Sequence, residues 1–267
     1  MITLSRIYKN YGDFQVLKEV NLHVKKGEIY GLVGKNGAGK TTIFKIILGL
    51  TAFEKGTLTI DKSKTNRQLQ AGRKKIGFFI GKNFFDYLTA EENLEYYRQL
   101  KGIKDKKEIK RVLELVGLKG VQTKYGSFSM GMKQRLGIAN ALLGNPEILI
   151  LDEPVNGLDP QGIADIRNLI VRLNREYNMT ILVSSHILGE LEHTATRFGI
   201  VHQGRVLKEI THEDLKGKKS TVQISVEDLE KARAVLAENH IRILQENGTG
   251  ESLEDYYFEL IGGTEHA

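Results

Sequence analysis

The sequence predicts an α/β fold built on a mostly parallel sheet, with an antiparallel β subdomain, a helical insertion and a small C-terminal α+β appendage. Three observations carry this. Short apolar runs bounded by turn residues alternate with segments of helical period, as expected for strands covered on both faces by crossover helices. One such run, Glu28-Ile29-Tyr30-Gly31-Leu32-Val33, leads straight into a glycine-rich octad and then an apolar helix. Between about residues 84 and 145 the alternation gives way to helical spacing alone.

Taken in order, residues 2–8 alternate apolar and polar and predict a strand, and 18–25 and 28–33 predict two more around the turn Lys25-Lys26-Gly27. A helix over 40–49 follows, with Ile43, Phe44, Ile46, Ile47 and Leu48 as its apolar positions. Residues 56–60 and 76–80 read as strands, joined by the polar stretch Asp61 to Lys75, which reads as an exposed connection. Helices are expected over 90–101, 106–117 and 130–144; Ile109, Val112, Leu113 and Val116 mark one face of the second. The apolar strand Ile148-Leu149-Ile150-Leu151 comes next, then a helix over 161–176, a strand from Thr180, and a short helix near 187–195. Two strands flank Gln203-Gly204 within 197–210. Beyond a linker near Lys216 to Lys219 the pattern becomes strand (220–226), helix (227–238), strand (240–244) and helix (252–261), so the domains are 1–215 and a βαβα appendage, 216–267.

The chain has 267 residues, no cysteine and a formal net charge of +6. The lack of cysteine rules out disulfides and thiolate metal sites, and fits a reducing compartment, taken here as the cytoplasm. No apolar run approaches the ~18–20 residues needed to span a bilayer, and the N-terminus lacks the pattern of a signal peptide. Basic residues are dispersed among acids, as in Lys101-Gly102-Ile103-Lys104-Asp105-Lys106-Lys107-Glu108, so a solvated surface is expected rather than a nucleic-acid partner.

The octad Gly34-Lys35-Asn36-Gly37-Ala38-Gly39-Lys40-Thr41 has Walker A spacing. Its glycines let successive backbone N–H groups turn inward around phosphate oxygens, and the helix that follows points its positive end at the same place. The nucleotide-binding set is Gly34, Asn36, Gly37, Ala38, Gly39, Lys40, Thr41 and Thr42, with Lys40 reaching the terminal phosphates and Thr41 ligating Mg²⁺. A second metal ligand belongs at the end of a neighbouring strand. Asp152 ends the run Ile148 to Leu151, and Glu153 follows it, placed to orient or deprotonate the attacking water.

The segment Phe128-Ser129-Met130-Gly131-Met132-Lys133-Gln134-Arg135 resembles the signature motif of ATP-binding cassette proteins. It is followed in family order by Asp152-Glu153-Pro154, Gly157-Leu158-Asp159-Pro160 and His186. The resemblance covers about residues 1–210. It implies an ATPase with ATP and Mg²⁺ as cofactors, paired head to tail with a second cassette, as a homodimer or with a different partner cassette as a heterodimer, and bound to integral membrane permease subunits on the inner face of the cell membrane. Ser129 and Gly131 would close over ATP held by the other copy, Asp159 would link the two sites, and His186 would contact the γ-phosphate and orient water. Tyr11, with Val16 nearby, resembles the aromatic that stacks on adenine; Tyr8 is its rival. Stacking does not select the base, so GTP stays open.

Two departures narrow the resemblance. The usual Leu-Ser-Gly-Gly-Gln is Phe128-Ser129-Met130-Gly131-Met132 here, and Gly81 stands where the family carries a glutamine, leaving a neighbour such as Asn83 or a water to replace it. The run Ser129 to Ala139 and the tail resemble ATPase subunits of bacitracin-type and lantibiotic-immunity exporters, which implies antimicrobial-peptide export. Phe84-Phe85-Asp86-Tyr87-Leu88 lies where family members receive helices of membrane subunits. The alternatives are a soluble cassette ATPase acting on ribosomes or DNA, against which the single cassette and the lack of long coiled coils argue, and an import ATPase.

Overall fold

Strands β1 (Ile2–Tyr11) and β2 (Phe14–Val24) pair as an antiparallel hairpin, and β4 (Lys55–Ile60) adds to the other edge of β1, giving the order β2-β1-β4. This is the expected antiparallel subdomain, with β2 starting four residues earlier than the sequence suggested. The chain is seen in a computed structural model that describes residues 1–61, 63, 65–81, 84–192, 194–211, 214, 226, 228–239, 241 and 243. It divides into two units, Met1–Lys218 and Lys219–Ala267.

In the first unit β3 (Ile29–Val33) is buried at every residue, flanked in parallel by β7 (Thr180–Ser185) and β8 (Arg197–His202). With β5 (Ile76–Phe79), β6 (Ile148–Asp152) and the antiparallel β9 (Arg205–Thr211), the full order is β5-β6-β7-β3-β8-β9. Side chains alternate across a sheet. Ile29, Val33, Leu149 and Leu151 therefore enter one core, while Tyr30, Leu32, Ile148 and Ile150 enter another. The first core is completed by α3 (Ala90–Leu100), α4 (Lys107–Leu115), α5 (Met130–Leu142) and α6 (Pro160–Tyr177). The second is completed by α1 (Lys40–Leu48) and the antiparallel subdomain.

The stretch from Asp61 to Lys75 is not a plain connection. It contains α2 (Asn66–Arg73), opened by a capping box in which Thr65 and Gln68 exchange side-chain-to-backbone hydrogen bonds at 3.4 Å. Leu69 is buried in the second core, and the Arg73 guanidinium donates to Ile47 O at 2.9 Å and Ile46 O at 3.4 Å, satisfying carbonyls at the end of α1. Leu69 and Ala71, the two apolar residues of the segment, were too thin a pattern to signal a helix.

Helix α5 lies against β5 with little room between them. A Cβ on Gly77 would meet Ala141 O at 1.9 Å, and one on Gly137 would meet the Phe79 ring at 2.3 Å. A short helix, α7 (Leu188–Glu192), follows β7. In the second unit α8 (Leu229–Glu238) begins at Asp228, whose side chain accepts from Lys231 N at 3.0 Å. Most of the strand expected over 220–226, most of that over 240–244 and the helix over 252–261 lie outside the described residues.

Candidate nucleotide site

The phosphate loop leaves β3 at its buried end. Gly34 N donates to Ser185 O at 3.3 Å, and the loop closes on itself where Ala38 N donates to Lys35 O at 3.1 Å. Asn36 and Gly37 are exposed, Ala38 is buried, and Thr42 is half-buried in the first turn of α1. Gly39 caps α1 at φ +112, where Ile43 N donates to its carbonyl at 3.0 Å. An L side chain rarely adopts that conformation, and a Cβ here would also meet Leu17 at 2.7 Å.

Lys40 is 4% exposed. Its ammonium donates to Gly34 O at 2.5 Å and Lys35 O at 3.3 Å, and lies 3.1 Å from Glu153 Oε1. The other Glu153 oxygen is hydrogen-bonded to His186 Nδ1. With Glu153 ionised, that ring nitrogen is the donor. Thr41 Oγ1 donates to Asp152 Oδ2 at 2.7 Å, and Ser184 Oγ donates to Asp152 Oδ1 at 2.6 Å. Five residues expected together from the sequence, Lys40, Thr41, Asp152, Glu153 and His186, thus meet at the carboxyl ends of adjacent parallel strands, the side of an open α/β sheet where ligands bind.

Glu153 sits at φ +52, a left-handed backbone that is costly for a residue with a side chain and that concentrates at functional sites. Its N–H donates to Ser184 Oγ at 2.9 Å. Next along β7, Ser185 Oγ lies 2.5 Å from Glu190 Oε2 and accepts from Ile187 N at 2.9 Å, bracketing His186. Neither serine was singled out from the sequence. The pair at the end of an apolar strand was visible, but their partners depend on the β6–β7 register, which places Ser184 beside Asp152.

Ser129, Gly131 and Asp159 gather elsewhere. They line a groove of about 470 Å³ with Met130, Gly157 and Leu158, and no phosphate-loop residue borders it. Ser129 is the N-cap of α5 and accepts from Met132 N at 3.3 Å; Asp159 is the N-cap of α6, its Oδ1 accepting from Gly162 N at 2.8 Å. Both helices therefore open into this groove, where the positive end of α6 is already met by the Asp159 carboxylate and Arg135 is paired with Asp165.

Tyr11 ends β1 and is half exposed, with Lys9 Nζ 5.0 Å from its ring centroid. Lys9 is held by Glu54 Oε1 at 2.9 Å, and the same carboxylate accepts from Asn10 N at 2.9 Å. The carbonyl of Val16 lies close to Gly39, so β2 runs beside the phosphate loop. The rival Tyr8 gives its carbonyl to Glu54 N at 3.0 Å. Gly81 is at φ +75 with open space around it, and Asn83 lies outside the described residues. The Phe84 segment divides. Phe84 packs on Tyr97 and Tyr125, whereas Phe85 makes an edge contact with Tyr96 at 5.1 Å beside the exposed Tyr87.

Residues 17–156 match the ABC transporter family. The chain is 39% identical to the bacitracin transport ATP-binding protein BcrA of Bacillus licheniformis, covering 98% of each chain. It belongs to the ABC transporter ATP-binding proteins. The ABC relatives also include the lantibiotic transport ATP-binding protein SrtF of Streptococcus pyogenes, 39% identical over 78% of this chain and 90% of that one. Among solved ABC cassettes, MJ0796, described as dimeric and bound to ADP and Pi, superimposes with a TM-score of 0.70 at 30% identity, over 79% of this chain and 99% of its own. The α/β architecture and the ATPase class read from the sequence hold for an ABC cassette, and no helix among the described residues is long and apolar enough to cross a membrane.

Proposed function

We propose that this chain binds and hydrolyses ATP as the motor subunit of an exporter for antimicrobial peptides, working as a homodimer beneath separate permease subunits at the cytoplasmic face of the membrane. Residues 1–215 form the nucleotide-binding domain and 216–267 an appendage. The observation that carries the reading is the cluster of Lys40, Thr41, Asp152, Glu153 and His186, joined into one hydrogen-bonded network through Ser184. The peptide cargo rests on the names of the relatives BcrA and SrtF.

In this reading the backbone N–H groups of residues 34–41 and the Lys40 ammonium hold the phosphates, and Tyr11 stacks on the base. The Thr41 hydroxyl and the Asp152 carboxylate, 2.7 Å apart, suit a hard cation that keeps most of its water, and no group of three or more His, Cys, Asp and Glu side chains among the described residues offers another metal site. Bound there, Mg²⁺ would neutralise charge on the phosphate oxygens. Glu153 takes the proton of the attacking water, and His186, oriented through Nδ1, leaves Nε2 to accept from that water or, with the ring protonated, to donate to the γ-phosphate. Ser129 and Gly131 close over the nucleotide of the second copy, a reading supported by their place at the N-terminus of α5. Phe85, Tyr87 and Tyr96 form the permease-facing patch; aromatic clusters of this kind anchor interfaces.

The test compares wild type with Glu153→Gln. The variant should bind ATP, hydrolyse it about 10²–10⁴-fold more slowly, and accumulate as a dimer in light scattering with Mg²⁺ and ATP. Wild-type turnover in Glu153→Gln would remove Glu153 as the base. A wild-type chain that binds no ATP would overturn the reading as a whole.

A further inference from the structure

We infer that Ser184 is a positioning residue that locks Asp152 and Glu153 into one geometry. The proposed hydrolysis supplies the consequence of this lock, and the lock itself is a matter of three groups and one oxygen. Glu153 lies just past the end of β6, so its N–H falls outside the β ladder, and Ser184 Oγ accepts it at 2.9 Å. The same hydroxyl spends its single proton on Asp152 Oδ1 at 2.6 Å. Ser184 is fully buried, so water does not compete for either bond.

The geometry is reciprocal. Thr41 holds the other Asp152 oxygen at 2.7 Å, so the two hydroxyls fix the plane of that carboxylate. Glu153 at φ +52 needs a partner to stay in a conformation that L residues rarely adopt, and the one its N–H has is Ser184. Relaxation of that peptide to negative φ would swing the Glu153 carboxylate away from Lys40, now 3.1 Å distant, and from His186. A serine with no expected contact to nucleotide thereby sets both the metal-side acid and the base.

The experiment uses Ser184→Ala and Ser184→Thr in the full chain. Crystals of the nucleotide-free Ser184→Ala protein should place Glu153 at negative φ. The Mg²⁺ concentration giving half-maximal ATP turnover should rise, and turnover should fall about 10- to 100-fold, the usual effect of removing a partner of a ligand. Binding of a fluorescent ATP analogue in EDTA should be unchanged, and Ser184→Thr, which keeps the hydroxyl, should restore the rest. If Ser184→Ala does not fold, Ser184→Cys, with a weak thiol donor, gives the same readings. Glu153 unmoved, or an unaltered Mg²⁺ requirement, would overturn the inference. Absence of turnover in wild type would overturn the proposed function instead, and the conformation of Glu153 in the variant would still decide the role of Ser184.

Discussion

Phe79, the last residue of β5, lies with its ring against the α5 backbone at Gly137, so that a single added carbon there would meet three ring atoms at 2.3–2.6 Å. Gly137→Ala should therefore force the ring or the helix aside. Overpacking of this kind costs about 1–3 kcal/mol, and it should appear as a lower melting temperature. Adding Phe79→Leu should recover part of the loss, and a double-mutant cycle with no coupling would show that the contact does not hold β5 to α5.

Lys40→Met removes an ammonium bonded to two loop carbonyls and paired with Glu153. Bonds to charged groups contribute about 1.5–3 kcal/mol, so ATP affinity by titration calorimetry should weaken about 10- to 100-fold. Unchanged affinity would place the phosphates away from Lys40.

Asn93 is fully buried, accepts from Phe85 N at 2.8 Å and donates to the carbonyls of Phe85 at 3.1 Å and Thr89 at 3.0 Å. Asn93→Ala strands these groups, at about 1–3 kcal/mol for a buried unsatisfied partner. Hydrogen exchange at the Phe85 amide should accelerate along with a drop in melting temperature. Exchange as slow as in wild type would mean the loop is held by other contacts.

The Glu54 carboxyl titrates below its ordinary range, chiefly through its hydrogen bond with Lys9 and also through the Asn10 amide. A depressed carboxyl contributes stability that is present above its unfolded pKa and is lost as pH falls through the lowered folded value. The Asn10 amide resonance should follow that titration, with a midpoint below that of an unfolded glutamate. Glu54→Gln should flatten the response and loosen Lys9 beneath Tyr11.

His186 was singled out only by the family resemblance, whereas the phosphate loop and the acid pair were legible because each sits at a strand end, next to the apolar run that carries it. The register between those strands was not. It decides that Ser184 falls beside Asp152, and no local pattern encodes a pairing between residues so distant in the chain. The same reason hid Glu54 as the partner of Lys9. Helix α2 escaped for a different cause: it is held by the capping box and by Arg73 on α1 rather than by an apolar stripe. Groove-lining Ser129, Gly131 and Asp159 were found by motif, yet their joint position depends on α5 and α6 both starting at one place.

The Asp159 cap bears on how two cassettes would part. Its Oδ1 is already engaged by Gly162 N at the start of the 18-residue α6. The carboxylate has other acceptor sites, so a neighbouring subunit could share Asp159 without cost; one that pulls Oδ1 off the Gly162 amide would give up an N-cap worth about 0.5–2 kcal/mol. In that second case association would work against the helix's own first turn like a weak spring, stretched while the pair is shut and released when it opens.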